Sequence, residues 1–208
     1  MMTGGTDPRQ AAAGLHGVYE RQAAHWDAVR PRDLYEKRWL DRALAMTAPG
    51  DRVLDLGCGA GEPIAVYVVA AGRRVHGMDF AAPMIAMARV RMPDQQWTVA
   101  DMRGLDLGEV FAAIIGWDSF FHLTPPEQEA LIPRLAAHLV PGGALLLTVG
   151  PEAGEPIGQV GGEAVYHASL APEDYAARLA GVGIDVVAFV PEDPECGGGS
   201  VLLGRRRG

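Results

Sequence analysis

Cysteine is scarce in this sequence, and its placement excludes two kinds of protein. The 208 residues contain two cysteines, Cys58 and Cys196, which lie far apart in the chain. The sequence has no Cys-x-x-Cys pair and no Cys/His cluster at metal-ligand spacing, so we expect no metal site. Two isolated cysteines do not make a disulfide scaffold, which favours a reducing, cytoplasmic location.

Long apolar runs and an excess of basic charge are also missing. No apolar run reaches the roughly 20 residues needed to cross a bilayer, so no membrane partner is expected. Residues 1–10 are polar and lack the apolar centre of a signal peptide, which predicts a flexible leader. The formal net charge of −8 disfavours nucleic acid, because an acidic protein repels phosphate backbones. The length fits one domain over residues 11–208, either as a monomer or as a homodimer.

Short apolar runs alternate with helical stretches through the middle of the chain. The runs predict strands at residues 53–56, 74–78, 97–100, 111–117 and 144–149. Helices are predicted between them, over residues 63–71, 83–91 and 125–139, the last beginning with a Thr124/Glu127 capping box. This repetition is typical of a parallel sheet with helices on both faces.

The two ends of the domain have their own patterns. Residues 11–48 predict helices divided at Pro31, and residues 172–180 predict another helix. A short strand is predicted at residues 164–167. The runs at 184–190 and 200–203 predict antiparallel strands, because their linker is too short for a crossover helix.

A glycine-rich loop, Asp55–Pro63, follows the first predicted strand. Gly57, Gly59 and Gly61 let the backbone turn sharply and approach a ligand closely. The loop opens a helix N-terminus, whose free N–H groups favour an anionic group. The alternative for this pattern by itself is a plain glycine-rich turn between a strand and a helix. The dinucleotide fingerprint G-x-G-x-x-G fails in both registers, at Glu62 and at Ile64.

Acidic residues follow the second and third predicted strands. Asp79 stands where a carboxylate can accept both hydroxyls of a ribose, although it is also a good helix cap. Asp101 is placed to accept from an adenine amino group, with Met102 offering a backbone N–H and apolar surface; the alternative is a solvated turn. All these loops fall at the carboxyl edge of the sheet, where open α/β sheets bind ligands.

The fourth loop, Gly116–Leu123, contains aromatic residues beside an acid and a histidine. Aromatic residues there fit a core as well as a cofactor site. The candidates for a general base are His122, His167 and Asp118. His122 ranks first because it follows the fourth strand and because an ordinary histidine pKa of about 6.5 suits proton transfer. Each histidine also has a structural alternative to the catalytic role. His122 would be a helix-entry residue, and His167 would be a hydrogen-bonded residue of a connecting strand.

These motifs together resemble a known family. The stretch Val53–Gly61, with Asp79, Asp101–Met102, Trp117–Asp118 and Leu139–Gly143, resembles class I methyltransferases that use S-adenosylmethionine (SAM). The resemblance implies an α/β, doubly wound, Rossmann-like sheet of seven strands, mostly parallel with the last strand antiparallel. It implies a SAM-binding core over residues 49–150, preceded by a helical lid over 11–48. Residues 151–208 would add a substrate-side insertion and the terminal strands.

The family resemblance also implies roles for single residues. The backbones of Gly57, Cys58, Gly59 and Gly61 would line the methionine and ribose parts of SAM, and Asp55 would hold its ammonium group. Asp79 would bind the ribose, Phe80, Asp101 and Met102 would lie at the adenine, and Trp117 would meet SAM from the other side. The predicted substrate-side residues are Tyr19, Trp26, Tyr35, Trp39, Phe121 and Tyr166.

The expected reaction is in-line transfer of a methyl group to a small-molecule acceptor. Two alternatives are a SAM-binding regulator that turns nothing over and a nucleotide-dependent oxidoreductase.

Overall fold

The computed structural model describes residues 7–208. In this range six α-helices run over Pro8–Val29 (α1), Lys37–Leu44 (α2), Ile64–Ala70 (α3), Ala82–Arg91 (α4), Pro125–Ala137 (α5) and Pro172–Gly181 (α6). The strands are Arg52–Leu56 (β1), Arg74–Asp79 (β2), Gln96–Val99 (β3), Phe111–Gly116 (β4), Leu139–Val149 (β5), Ile157–Val160 (β6), Glu163–Tyr166 (β7), Ile184–Asp193 (β8) and Gly199–Arg206 (β9).

Seven strands form one sheet in the order β3-β2-β1-β4-β5-β9-β8. The first five strands are parallel, and β9 lies between β5 and β8, antiparallel to both. This confirms the predicted seven-stranded sheet with its antiparallel last strand. The strand order reverses between β1 and β4, which opens a crevice at their carboxyl ends.

The alternation of side chains along the central strands builds two cores, one on each face of the sheet. Leu54, Ile114 and Leu145 pack in the core that includes side chains of α5 and α6. Their neighbours in sequence, including Val53 and Ile115, pack in the core that includes α2, α3 and α4. The helices therefore cover both faces, as the strand–helix alternation predicts.

Helix starts follow local capping chemistry. Asp7 accepts a hydrogen bond from the Arg9 N–H at 3.0 Å and Pro8 opens α1. The prediction of a flexible leader over residues 1–10 is therefore wrong for Pro8–Gln10, which are helical. Residues 1–6 lie outside the described part of the chain. The predicted capping box of Thr124 and Glu127 is confirmed at the start of α5.

A two-stranded hairpin, β6–β7, stands apart from the main sheet and packs against α1. Leu15 and Val18 of α1 form a small core with Val160 and Val165 of the hairpin. The strand β7 matches the predicted strand near residues 164–167, whereas β6 was not predicted. In residues 7–208, no helix is both long and apolar enough to cross a membrane.

Candidate active site

Two adjoining cavities occupy the crevice at the carboxyl ends of the parallel strands. The first cavity is walled by α1, the ends of β2 and β3 and the loop after β4; its lining includes Leu15, Tyr19, Trp26, Gly57, Gly59, Asp79, Phe80, Met84, Asp101, Met102, Arg103, Asp118, Ser119 and His122. The second cavity lies under the glycine-rich loop, and its lining includes Trp26, Asp27, Arg30, Asp55, Gly57, Cys58, Gly59, Glu62, Trp117 and Asp118. Trp26, Gly57, Gly59 and Asp118 belong to both, so the two cavities form neighbouring parts of one site.

Gly57 gives the crevice its shape. It has a φ of +75°, and a Cβ atom placed there would lie 2.3 Å from Ser119 Cβ. Ser119 is fixed in turn, because its hydroxyl donates to the Leu56 carbonyl at 2.6 Å. The loops after β1 and β4 therefore touch at this point, and a side chain at position 57 has no room.

Gly61 differs from the predicted lining glycines. A Cβ atom there would lie 2.8 Å from the Trp97 ring and 2.9 Å from Met92 Cε. Gly61 lines neither cavity, in contrast to its predicted contact with the cofactor. Its φ of +80° and this close approach give the residue a packing role at the turn.

Asp79 closes the floor of the first cavity at the end of β2. Its carboxylate accepts from the Gly59 N–H at 3.0 Å and from the Ala81 N–H at 2.8 Å, one bond to each oxygen. Burial raises the pKa of Asp79 to about 6. Each oxygen keeps a free lone pair. The residue is therefore both the helix cap and a hydrogen-bond acceptor facing the cavity, so the two predicted alternatives are compatible.

Asp55 is buried at the second cavity, at 3% exposure. Burial and the nearby Asp79 carboxylate raise its pKa to about 7. Two carboxylates with raised pKa values make this part of the crevice favourable for a positive charge, because a cation stabilises their ionised forms.

Asp118 contacts an ionic cluster at the end of α1. It stands at a φ of +51° and lines both cavities. The Tyr35 hydroxyl donates to its carboxylate at 3.3 Å, and Arg30 lies 3.7 Å away. Arg30 also donates to the buried Glu36 at 2.8 Å. Burial raises the pKa of Asp118, although Arg30 opposes the shift.

His122 is held by hydrogen bonds at both ring nitrogens. Nδ1 lies 2.8 Å from the Tyr166 carbonyl, which can only accept, so Nδ1 carries the proton. Nε2 then accepts from the Tyr19 hydroxyl at 2.7 Å. Burial lowers the pKa of His122 to about 3. The argument that a near-neutral pKa makes His122 a base therefore fails, because burial holds the ring neutral; its contacts instead orient the Tyr19 hydroxyl.

His167 and Phe121 line a third cavity, together with the loop over residues 150–156. The ring centroid of His122 lies 4.9 Å from that of His167 and 4.8 Å from that of Phe121. These aromatic rings form the wall between the first and third cavities. His167 is half-buried, and burial lowers its pKa.

Three of the predicted substrate-side aromatic residues lie elsewhere. Trp39 is fully buried, and its indole N–H donates to Asp193 at 2.8 Å. Tyr166 is 1% exposed and its hydroxyl donates to Glu155 at 2.6 Å. Tyr35 lies behind Asp118, where it receives a hydrogen bond from Arg30. None of the three lines the three cavities described here, whereas Tyr19, Trp26 and Phe121 do.

The burial of Trp39 leads to a stability prediction. Trp39→Phe removes a hydrogen bond to a carboxylate that is 2% exposed. We expect the free energy of unfolding, measured with denaturant, to fall by about 1.5–3 kcal/mol. Trp97→Phe is the matched control, because the Trp97 indole N–H donates to the neutral Met92 carbonyl. Loss of that hydrogen bond should lower the free energy of unfolding by about 0.5–1.5 kcal/mol. Equal losses in the two variants would show that the bond to the Asp193 carboxylate contributes no more than a bond to a neutral carbonyl.

Several lining residues were missed by the sequence reasoning. Leu15 and Met84 follow no motif, and they reach the first cavity only through the packing of α1 and α4 on the sheet edge. Ser119 lies in the predicted fourth loop but was not singled out there. Arg30 follows the last residue of α1, where Pro31 gave the only signal that the helix ends. Asp101, by contrast, is where it was predicted, although its carboxylate is already paired with Arg103 at 2.7 Å.

Comparisons with known proteins agree with this architecture. The chain belongs to the class I SAM-dependent methyltransferase family, and a family model described as "Methyltransferase domain" matches residues 53–143. Trans-aconitate 2-methyltransferase of Azoarcus sp. (strain BH72) is 34% identical over 158 residues, which are 72% of this chain and 53% of that protein.

Two further proteins place the chain among related sequences and folds. The dTDP-3-amino-3,6-dideoxy-alpha-D-glucopyranose N,N-dimethyltransferase of Streptomyces fradiae is 35% identical over 97 residues, 46% of this chain and 38% of that one. The 1,6-didemethyltoxoflavin-N1-methyltransferase of Burkholderia thailandensis has a similar structure, with a TM-score of 0.75 at 18% identity, covering 100% of this chain and 94% of that chain. The chain thus spans about half, or less, of the length of these two curated relatives.

Proposed function

We propose that the first and second cavities bind SAM and that the protein transfers its methyl group to a small-molecule acceptor. The observation that carries the proposal is the convergence of Gly57, Asp55, Asp79 and Asp118 on one crevice at the β1/β4 reversal. SAM supplies a methyl group activated on a sulfonium.

The residues of the crevice fit the parts of SAM. Asp79 has free lone pairs for two ribose hydroxyls, and Phe80, Asp101 and Met102 line the same cavity for the adenine. Asp55 and Trp117 line the second cavity, which suits the methionine end. The Trp117 indole N–H is buried without a hydrogen-bond partner in residues 7–208, and the carboxylate of SAM would supply one. Gly59 lines both cavities, and a Cβ atom there would find nothing nearer than Met84 Sδ at 3.9 Å, so its backbone is open to a ligand.

The protein's main contribution to the reaction is orientation. Holding a nucleophile in line with a methyl group supplies about 7–11 kcal/mol in well-aligned systems. The third cavity adjoins the Tyr19 and His122 side of the first cavity across the rings of His122, Phe121 and His167, which supports space for an acceptor on this side of SAM. Such a space favours an enzyme over a regulator that only binds SAM.

Two experiments test the proposal. Calorimetry measures SAM binding directly, with NAD as the control ligand for the oxidoreductase alternative. Incubation with methyl-labelled SAM and a pooled bacterial metabolite extract then tests transfer. Absence of SAM binding would refute the proposal, and binding without any labelled product would favour a regulator.

SAM binding is expected to depend on pH through Asp55 and Asp79. With pKa values of about 7 and 6, both carboxyls hold protons in the free protein that an unfolded chain releases near pH 4. Between about pH 4 and pH 7 the folded state therefore binds more protons, and stability falls as pH rises. Cationic SAM favours the ionised forms, so its affinity rises over the same window.

Asp55→Asn is the matched variant for this pH dependence. Calorimetric titrations from pH 5 to pH 7 should show a smaller rise in SAM affinity for this variant than for the wild type. At pH 6 the wild type should also release more protons on binding SAM, measured in buffers of different ionisation enthalpy. If SAM affinity rises equally steeply with pH in the two proteins, Asp55 does not contact the positive charge of SAM.

Domain organisation and location complete the proposal. Residues 49–150 form the SAM-binding core, residues 11–48 the helical lid, and 151–208 the acceptor-side insertion and terminal strands. Both cysteines are free, which supports a reducing, cytoplasmic location.

A further inference from the structure

We infer that the methyl acceptor is an amine, neutral or protonated, and not a polycarboxylate. The inference rests on the proposed function and narrows the substrate class of the same site. It depends on the balance of charge around the cavities and on the hydrogen-bond state of Tyr19.

Carboxylates dominate the walls of the crevice. The first and second cavities are lined by six acidic residues, namely Asp27, Asp55, Glu62, Asp79, Asp101 and Asp118. Glu152 and Glu155 line the third cavity. Arginines pair with four of these acids, namely Asp27, Glu62, Asp101 and Asp118. In residues 7–208 the other four form no ion pair, so an anionic acceptor would approach carboxylates that no arginine neutralises, in a poorly solvated space where repulsion is weakly screened.

Every positive side chain that lines these cavities already has a carboxylate partner. Arg103 is bound at 2.7 Å by both Asp101 and Glu127. Arg30 is bound by Glu36 at 2.8 Å, with Asp118 at 3.7 Å. Burial lowers the pKa values of His122 and His167, so both rings are neutral at pH 7. The six residues before the described range, Met1–Thr6, include no Lys, Arg or His.

A nitrogen nucleophile suits this electrostatic field through the whole reaction. The nitrogen attacks as the free amine, its lone pair forms the new C–N bond, and the electron pair of the broken C–S bond stays on the sulfur. The positive charge therefore moves from sulfur to nitrogen and never leaves the acidic crevice. The methylated nitrogen then loses its extra proton to the solvent.

Tyr19 is prepared to receive an N–H group. Its own proton is donated to His122 Nε2 at 2.7 Å, which leaves the lone pairs of its oxygen free in the first cavity. An N–H of the acceptor can donate to that oxygen while the nitrogen lone pair points at the methyl group. A hydroxyl acceptor needs a base instead, and a buried His122 with a pKa of about 3 is a poor one. The carboxylate of Asp118 is already engaged by the Tyr35 hydroxyl at 3.3 Å and by Arg30 at 3.7 Å.

The chemistry of the labelled product tests the inference. After incubation with methyl-labelled SAM and the metabolite extract, the products are treated with mild alkali and separated by cation exchange at acidic pH. We expect the label to survive alkali and to bind the cation exchanger. Volatile label released by alkali, which marks a methyl ester, or alkali-stable label that does not bind the exchanger, would overturn the inference. So would transfer to trans-aconitate, a tricarboxylate, used as a direct probe.

A protein that fails to bind SAM in calorimetry, or that binds SAM and labels nothing in the extract, refutes the proposed function itself. A labelled product of the wrong chemistry overturns only the amine assignment, so the two failures are distinguishable. Tyr19→Phe supplies the second readout. Its labelling rate should fall about tenfold while SAM affinity stays within about twofold. Tyr67→Phe, which changes a tyrosine outside the three cavities, is the control, and equal rates in the two variants would count against the role of Tyr19.

Discussion

Asp79→Ala is expected to weaken SAM binding by about a hundredfold to ten-thousandfold. The substitution removes two charge-assisted hydrogen bonds to the ribose, each worth about 1.5–3 kcal/mol. It also releases the Gly59 and Ala81 N–H groups, which shape the loop and the start of α4. Calorimetric titration with SAM at pH 8, where the wild-type carboxyl is ionised, measures the loss.

Two companion variants separate the ribose contact from general damage. Asp79→Asn keeps the size and one acceptor oxygen, so its affinity should fall between the wild type and Asp79→Ala. Asp94→Ala removes an exposed acid that lines none of the cavities and should bind SAM normally. Unchanged affinity in a folded Asp79→Ala protein would refute the ribose assignment.

Gly57→Ala is expected to destabilise the fold by about 2–5 kcal/mol. An alanine at φ +75° costs about 1–2 kcal/mol, and overpacking against Ser119 at 2.3 Å costs about 1–3 kcal/mol more. Because Gly57 lines both cavities, SAM affinity should fall as well. Denaturant unfolding and calorimetry measure the two losses.

Gly50 provides a control for the backbone strain alone. It has a φ of +86°, but a Cβ atom there meets nothing within 4 Å. Gly50→Ala should therefore lose only about 1–2 kcal/mol and keep its SAM affinity. Adding Ser119→Gly to Gly57→Ala should recover part of the stability, and a double-mutant cycle measures that coupling. Equal losses at positions 50 and 57 would show that the contact with Ser119 does not matter.

The sheet and the edge that holds the crevice were predictable because they depend on periodicity and connectivity. Parallel strands all end at one edge, so the residues that follow β1, β2, β3 and β4 had to come together there. The short linker between β8 and β9 likewise required antiparallel pairing. The strand β6 was missed, although the pair Gly161–Gly162 between β6 and β7 is a sequence signal for a hairpin turn. Both glycines have the positive φ angles of a tight turn.

Side-chain direction and burial were not predictable from the same patterns. Trp26 and Trp39 both lie on N-terminal helices, but α1 crosses the crevice whereas α2 packs on the sheet, so only Trp26 reaches a cavity. The low pKa of His122 depends on its depth, whereas its hydrogen bond to the Tyr166 carbonyl opposes the shift. Spacing along the chain carries no information on either property.

The helix α1 carries Tyr19, Trp26 and Arg30 on one continuous segment. Gln22 of α1 donates a hydrogen bond to Glu163 of the hairpin at 2.8 Å. Asp27 of α1 forms a salt bridge with Arg91 of α4 at 3.0 Å. Because one helix carries all three residues, we expect a ligand to exchange when α1 moves as a unit. Removing the Gln22–Glu163 hydrogen bond would thus raise the dissociation rate of a bound ligand, although neither residue lines the first or second cavity.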